Sequence, residues 1–499
     1  MSIKTELIDL RTNLVLCFKE IDWEFLKKPI LLMFGIYLLG ITSIMRADFL
    51  YIDESEIAVK DKRGFGQLFS RHIQWLVQEF SQINTDMVNV SPLFQIIGVF
   101  LLAVSSVLLI YIIFDKRITI LRLLAAIPFG LSPFMLQPLS YGTSALVFCL
   151  PILFCIVPFL FMRTHQTFIF VSILMLLMMC NTYQAYSGLY LIIAGILCFK
   201  WWNSKSKSNK DILIFAGISI CSFCIALIIY KAFFVIEINT YASSAMLSID
   251  KLPSGIIKNI HQYLNQAYSG FNIVWRTLFW LICGLFVIKS MVESKQNKSI
   301  ALFVSILVLI ILSILSAGAY LVLEKPLWYV KDNARGLVTF GCFIAIINLY
   351  IISNKMKINA IAALCLSWSF FVFAFAYGNA LSSQKQYNNF RSEILLSDLN
   401  SLLSDNKNKE RIQVKFFNRV DFAPAVKHIM KVYPVIRNML VPGLTSPGAG
   451  FYGEQYIFDH FDFNAVRDRD IPKDLPIVLD SYYHTIRSDG KRIAVVFKR

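Results

Sequence analysis

The sequence predicts a polytopic α-helical membrane protein with a small α/β domain at its C-terminal end. Three observations carry that prediction. Of 499 residues, 57% are hydrophobic and only 16% are charged, too apolar a balance for a soluble globular chain. Apolar runs recur from residue 30 to residue 379. From about Ser382 the chain becomes charged and is patterned like a folded soluble module.

Residues 1–28 mix Leu, Ile, Trp23 and Phe25 with Lys and Glu, as in an amphipathic helix lying on a membrane face. No small-residue cleavage site follows the first apolar run, so no signal peptide is expected. The apolar runs lie near 30–45, 93–114, 120–137, 143–162, 167–181, 185–200, 211–231, 273–290, 300–323, 336–353 and 358–379, which predicts about eleven spans. Several are shorter than the ~20 residues of a perpendicular crossing, and the fifth and sixth also read as one broken hairpin.

Loop charge sets the expected orientation. With the N-terminus inside, the cytoplasmic loops read DKR at 115–117, Arg163, KWWNSKSKSNK at 200–210, ESKQNKS at 293–299 and SNKMK at 353–357, all basic. The opposite short loops, 138–142 and 182–184, carry no Lys or Arg. This is the positive-inside pattern, and an odd span count places the C-terminus outside. The net charge of +16 is then a topology signal, and nucleic-acid binding is not expected because no reader motif accompanies it. Nine of ten cysteines lie in or beside apolar runs, so neither a disulfide framework nor a zinc site is expected.

The expected domains are a cytoplasmic segment 1–28, a membrane domain 29–380 and an outer α/β domain 381–499. Outer loops 46–92, 232–272 and 324–335 share the outer face with that last domain. Within it, YNNFRSEILLSDLNSLLSD and PAVKHIMKVY suit helices and RIQVKFFN suits a strand. SYYHTIR and KRIAVVFKR flank a turn at Ser488-Asp489-Gly490 and read as a hairpin.

The stretch Arg46–Trp75 sets Asp48, Asp53, Glu54, Glu56 and Asp61 among Arg46, Lys60, Lys62, Arg63 and Arg71, interleaved with aromatics. A plain linker does not need this. Transfer from a lipid phosphate does: a carboxylate takes the proton of an incoming hydroxyl, and cations stabilise the departing phosphate. The loop EKPLWYVKDNAR holds Lys325, Lys331 and Arg335 with Trp328 and Tyr329, against the rule that outer loops are poor in cations. It reads either as part of a site or as headgroup anchoring. The spans hold almost no ionisable residues, which argues against an ion-coupled transporter and places the chemistry at the outer surface.

Six stretches, in order along the chain, resemble the serotype-converting O-antigen glucosyltransferases of temperate phages and enteric bacteria, the Gtr type-II-like family. They are Tyr51-Ile52-Asp53-Glu54, VSPLFQIIGVFLLAVSS with Ser91, Pro92 and Gln95, SPFMLQPLSYGTSAL at 132–146, CNTYQAYSGLYL at 180–191, QYNNFRSEILLSDLN at 386–400, and YPVIRNMLVPGL at 433–444. The resemblance implies a multi-pass bacterial inner-membrane enzyme of the GT-C type. Such an enzyme takes glucose from undecaprenyl-phosphate-glucose on the periplasmic side and places it on a sugar of the lipid-linked O-antigen repeat of lipopolysaccharide. It also implies two pathway partners, a donor-making glucosyltransferase and a small flippase. The family often has two aspartates with an arginine a few residues on. Here the second acid is Glu54 and residues 55–58 read Ser-Glu-Ile-Ala.

On this reading Asp53 or Glu54 is the general base, with inversion at the anomeric carbon. Arg63, Arg71, Lys325, Lys331 and Arg335 are candidates to hold the donor phosphate. Tyr51, Trp75, Trp328 and Tyr329 are candidates to contact sugar, and a divalent metal between Asp53 and Glu54 stays open. Two rival readings are an O-antigen polymerase or ligase, which favours a large loop between late spans, and a lipid or sugar flippase, which needs polar groups along the spans.

Overall fold

The computed structural model describes all residues except 1–2, 53, 55–69, 84–87, 237–245, 327–332, 354–355, 404–411, 419, 443–460, 466–470, 491 and 499. A helical bundle dominates, and a five-stranded sheet is attached to its last helix. Helix α1 (Ile3–Lys19) precedes α2 (Trp23–Ala47), whose start is capped by the Asp22 side chain accepting from Phe25 N at 3.0 Å. Next come α3 (His72–Gln82) and α4 (Leu93–Ile113). Three short helices follow, α5 (Ile120–Ala125), α6 (Ile127–Leu131) and α7 (Pro133–Leu139). The bundle continues with α8 (Ala145–Ile156), α9 (His165–Cys180), α10 (Ser187–Ser204) and α11 (Asn209–Phe233). It closes with α12 (Leu252–Ser269), α13 (Ile273–Glu293), α14 (Lys298–Leu315), α15 (Val338–Tyr350) and α16 (Lys357–Leu403).

Every one of the eleven apolar runs carries a helix, but their number as spans is not that simple. Among the described residues, seven helices are long and apolar enough to cross a membrane, or eight if the bent pair Ile120–Leu131 and Pro133–Leu139 is one span. Residues 145–160, 165–180 and 334–350 are apolar but shorter. The bend is 61°, and Pro128, Pro133 and Pro138 explain it: each lacks an N–H for the helical ladder.

Helix α15 is buried on every side, which fits its apolar character all round. Its Asn348 donates from Nδ2 to the Ala125 carbonyl at 2.8 Å. Helix α2 lies against α4 and α16. Gly378 of α16 faces Ser43 so closely that a Cβ there would overlap Ser43 Oγ. Such small residues let two helix backbones approach where lipid removes the hydrophobic drive for association.

The loops sort into two ends. At one, Glu20 pairs with Arg163, Lys200 with Asp115 at 2.6 Å, and the Asn203 carbonyl accepts from Lys295 N at 2.9 Å. These are the basic loops. At the other end three of the four segments expected to share a face touch one another, and Leu323 borders the fourth. Ser70 Oγ accepts from Ile236 N at 2.8 Å, Leu323 bridges Met246, and Asn272 Nδ2 donates to the Val432 carbonyl at 3.1 Å.

Helix α16 runs 47 residues without a break, about 70 Å at 1.5 Å per residue. The expected span 358–379 and the expected tail helix 387–405, as far as Leu403, are therefore one helix, and residue 381 interrupts nothing. Its far end carries the sheet, ordered β2-β1-β5-β4-β3, from β1 (Ile412–Phe417), β2 (Phe461–Ala465), β3 (Ile477–Asp480), β4 (His484–Ser488) and β5 (Arg492–Phe497). β1 is parallel to both β2 and β5, and β3, β4 and β5 pair antiparallel. The β4–β5 hairpin falls where the sequence predicts it, with Gly490 at φ 87°. Leu395 and Leu399 of α16 join Val414, Ile486 and Val495 in the core beneath the sheet. Arg391 locks that contact by donating to the Tyr483 carbonyl at 2.7 Å.

Between β1 and β2 the chain returns to the bundle. Helix α17 (Pro424–Val432) leads to Tyr433, whose ring packs against Trp275 and Phe373 at 5.6 and 5.1 Å. Val435, Ile436, Met439 and Leu440 are buried in the same core as the membrane helices.

Gly378→Val should overpack the α2–α16 contact and cost about 1–3 kcal/mol. Gly284→Ala, where nothing lies within 4 Å, should be neutral or slightly stabilising. Thermal melts of both variants in detergent measure the difference.

Candidate active site

The site begins where α2 ends. Asp48 takes a left-handed conformation (φ 44°) and closes the helix, and its carboxylate pairs with Lys385 of α16 at 2.8 Å. Phe49, Tyr51 and Glu54 then turn inward and are buried. Glu54 Oε2 accepts from Tyr51 N at 3.1 Å. Its Oε1 accepts from Thr143 N at 2.6 Å and from Thr143 Oγ1 at 2.8 Å, and the Gly142 backbone also faces it. The partners come from residues 140–144, the loop between the bent pair and α8. Burial raises the Glu54 pKa to about 7, against the opposing pull of these hydrogen bonds. Beside the carboxylate is a small cleft lined by Asp48, Asn89, Ser91, Gln95 and Ser140.

The same loop holds a cation. Arg335 donates from Nη1 to the Tyr141 hydroxyl, and its guanidinium lies 5.2 Å from the Tyr141 ring centroid. Tyr141 starts an aromatic string through Phe148 (5.3 Å) and Tyr183 (5.0 Å further) to Tyr186 (5.3 Å again). Arg71 lies 4.4 Å over the Tyr183 ring, with Nε 3.4 Å from Gln184 Oε1. Both guanidiniums lie within electrostatic reach of the buried Tyr320.

Of the sequence candidates, Glu54, Arg71 and Arg335 are thus brought into one region. Asp53, Arg63, Trp328, Tyr329 and Lys331 lie outside the described residues. Lys325 is exposed and Trp75 is half-buried on α3. Tyr51 is fully buried, its ring 4.7 Å from Tyr141 and its hydroxyl donating to the Met439 carbonyl, so it offers no open face to a sugar. Among the described residues no three His, Cys, Asp or Glu side chains gather as a metal site, and both Glu54 oxygens already accept hydrogen bonds.

Sequence reasoning did not single out Gln137, Tyr141, Thr143, Tyr183 or Gln184. None is charged. Their signal lay in two apolar runs interrupted by Pro, Gly and hydroxyl residues, an arrangement that puts irregular backbone beside a cavity. Five of the six stretches that carry the family resemblance meet here, through Tyr51, Gln95, Thr143, Tyr183 and Met439. The fifth stretch packs under the sheet instead.

A family model described as glucosyl transferase GtrII matches residues 42–347, from the end of α2 to α15. No curated protein and no solved structure matches the chain.

A raised carboxyl pKa has a definite sign. Its contribution to stability is present below about pH 4.5 and is lost as pH rises through about 7. Wild type should therefore lose stability relative to Glu54→Gln between about pH 5 and 8, by a few kcal/mol at most. Paired melts across that range check it; parallel curves would show that Glu54 does not titrate there.

Proposed function

The chain belongs to the glucosyl transferase GtrII family, and from that premise we propose that it transfers glucose from undecaprenyl-phosphate-glucose to a sugar of the lipid-linked O-antigen repeat. As a family member it is a glycosyltransferase, and its apolar helices make it a membrane protein. The observation that carries the finer reading is the loop 140–144, which holds a buried acid through Thr143 and a guanidinium through Tyr141. Acid and cation on one small element are what displacement of a sugar from a phosphate requires.

In the proposed reaction the acceptor hydroxyl attacks the anomeric carbon opposite the phosphate. The new bond joins acceptor oxygen to that carbon, and the bond from carbon to phosphate oxygen breaks. The hydroxyl proton passes to a carboxylate of the Asp53–Glu54 pair, and undecaprenyl phosphate leaves. A pKa near 7 suits Glu54 to hold a proton reversibly at neutral pH. Its several donors suit it equally to position the loop while Asp53 takes the proton. Arg71 and Arg335 face the leaving phosphate, with Arg63, Lys325 and Lys331 as further cations. Inversion follows from attack on the opposite face.

Basic loops at the end of the bundle away from this site support an inner-membrane orientation with a periplasmic site and a cytoplasmic N-terminus. The donor-making glucosyltransferase and the small flippase then work upstream, supplying donor on the correct side. Family membership favours transfer over a polymerase, ligase or flippase.

Coexpression with the donor-making partners in a strain bearing a suitable O-antigen should add one hexose mass to lipopolysaccharide. Asp53→Asn/Glu54→Gln should reduce that gain about 10²–10⁴-fold. Arg335→Ala and Arg71→Ala should each lower donor-dependent kcat/KM about tenfold to a hundredfold, the worth of a hydrogen bond to a charged group. Full activity in both arginine variants would remove them from the phosphate site.

A further inference from the structure

The family match ends at residue 347, yet a segment beyond it reaches the site. The contact runs through one fully buried side chain, Gln137, on the second limb of the bent pair. Its Nε2 donates to the Tyr51 hydroxyl at 2.8 Å and lies 3.4 Å from the Met439 carbonyl. The Tyr51 hydroxyl donates to the same carbonyl. Gln137 Oε1 accepts from the backbone N–H of Arg335 at 2.5 Å. One amide therefore joins the loop that carries Glu54, the backbone of Arg335 and the tail.

The chemistry of the group explains the choice of residue. A carboxamide has one accepting oxygen and two N–H donors. Arg335 N–H needs an acceptor, and the Met439 carbonyl needs a donor. A flipped amide would set donor against donor and acceptor against acceptor, so the network itself fixes the orientation. A carboxylate would lack the donors, and a methionine would lack both functions. Burial also raises the Tyr51 pKa, which keeps its hydroxyl a donor to Met439.

Resting on the proposed transfer, we infer that Gln137 is a positioning residue and that the tail segment Tyr433–Leu440 is a working part of the transferase site, held to the Tyr51–Glu54 loop by the Tyr51 hydroxyl together with Gln137 and linked to Arg335 through the Gln137 amide. The tail is seated by its own apolar contacts: Ile436 is fully buried, and Met439 and Leu440 N–H both donate to the Ile436 carbonyl, at 3.0 and 2.9 Å. Loosening the seat and removing the amide should then impair one device.

The test is a double-mutant cycle on the full-length protein, with Gln137→Met, Ile436→Ala and the double variant, using undecaprenyl-phosphate-glucose as donor. Each single change should lower kcat/KM about tenfold or more. The double variant should be little worse than the poorer single one, because coupled residues are not additive. Gln137→Glu supplies a second readout. Its activity should recover towards acid pH, where a protonated carboxyl again donates to Tyr51 or Met439, while wild type and Gln137→Met show no such recovery. Hydrogen exchange of the 433–440 peptide should rise in Gln137→Met, and this needs no activity. Additive losses, or exchange unchanged from wild type, overturn the latch. If wild type transfers no hexose, the transferase reading fails while the exchange result still decides whether the amide holds the tail.

Discussion

A carboxylate buried against backbone N–H groups is the interaction around which the rest is arranged. In an apolar environment every peptide N–H must find an acceptor, and a broken helix leaves some without one. The break after residue 139 exposes Thr143 N–H, and Glu54 accepts from it and from the Thr143 hydroxyl. Glu54 cannot move without orphaning Thr143, nor can residues 140–144 close into a helix joining α7 to α8 without stranding a buried carboxylate. Either loss is expensive in a medium of low polarity. The polar site and the helix break therefore stabilise each other.

Around that core the bundle makes wide use of uncharged polar groups. Tyr37 shares its hydroxyl with Ser106 at 2.7 Å, and Tyr263 approaches Ser316 at 3.0 Å. Cations that approach the interior, among them Arg71, Lys289 and Arg335, rest on aromatic rings. A guanidinium on a ring keeps hydrogen-bonding capacity while its desolvation is partly offset by the ring's negative face. That suits a cation that must wait beside an apolar core for an anionic group.

The helices were legible in the sequence because a run of apolar residues reports burial whatever the partner. The span count was not, since prolines 128, 133 and 138 shorten and bend one segment without changing its hydropathy. The continuity of α16 was hidden for the opposite reason. Hydropathy falls near residue 381 and suggests a boundary, but residues such as Leu395, Leu396 and Glu393 sustain a helix equally well in water. Within the site, charge drew the eye to Glu54, Arg71 and Arg335. Nothing local announces that Glu54 is buried, because its partners lie 89 positions further on. Gln137 carries no charge and sits between Leu136 and Pro138 in an apolar run, so only the fold reveals what it joins.

The unbroken length of α16 has a mechanical consequence. A hydrocarbon layer is about 30 Å thick, so a helix of about 70 Å is a mast standing well clear of it. A lone mast would swing with every tilt of its buried part. This one is guyed: the chain comes back from the sheet at Tyr433 and is tied down between Trp275 and Phe373, the latter on the mast itself. Mast, sheet and stay close a triangle, and a triangle cannot shear without changing the length of a side. The sheet and the bundle thus tilt together as one frame.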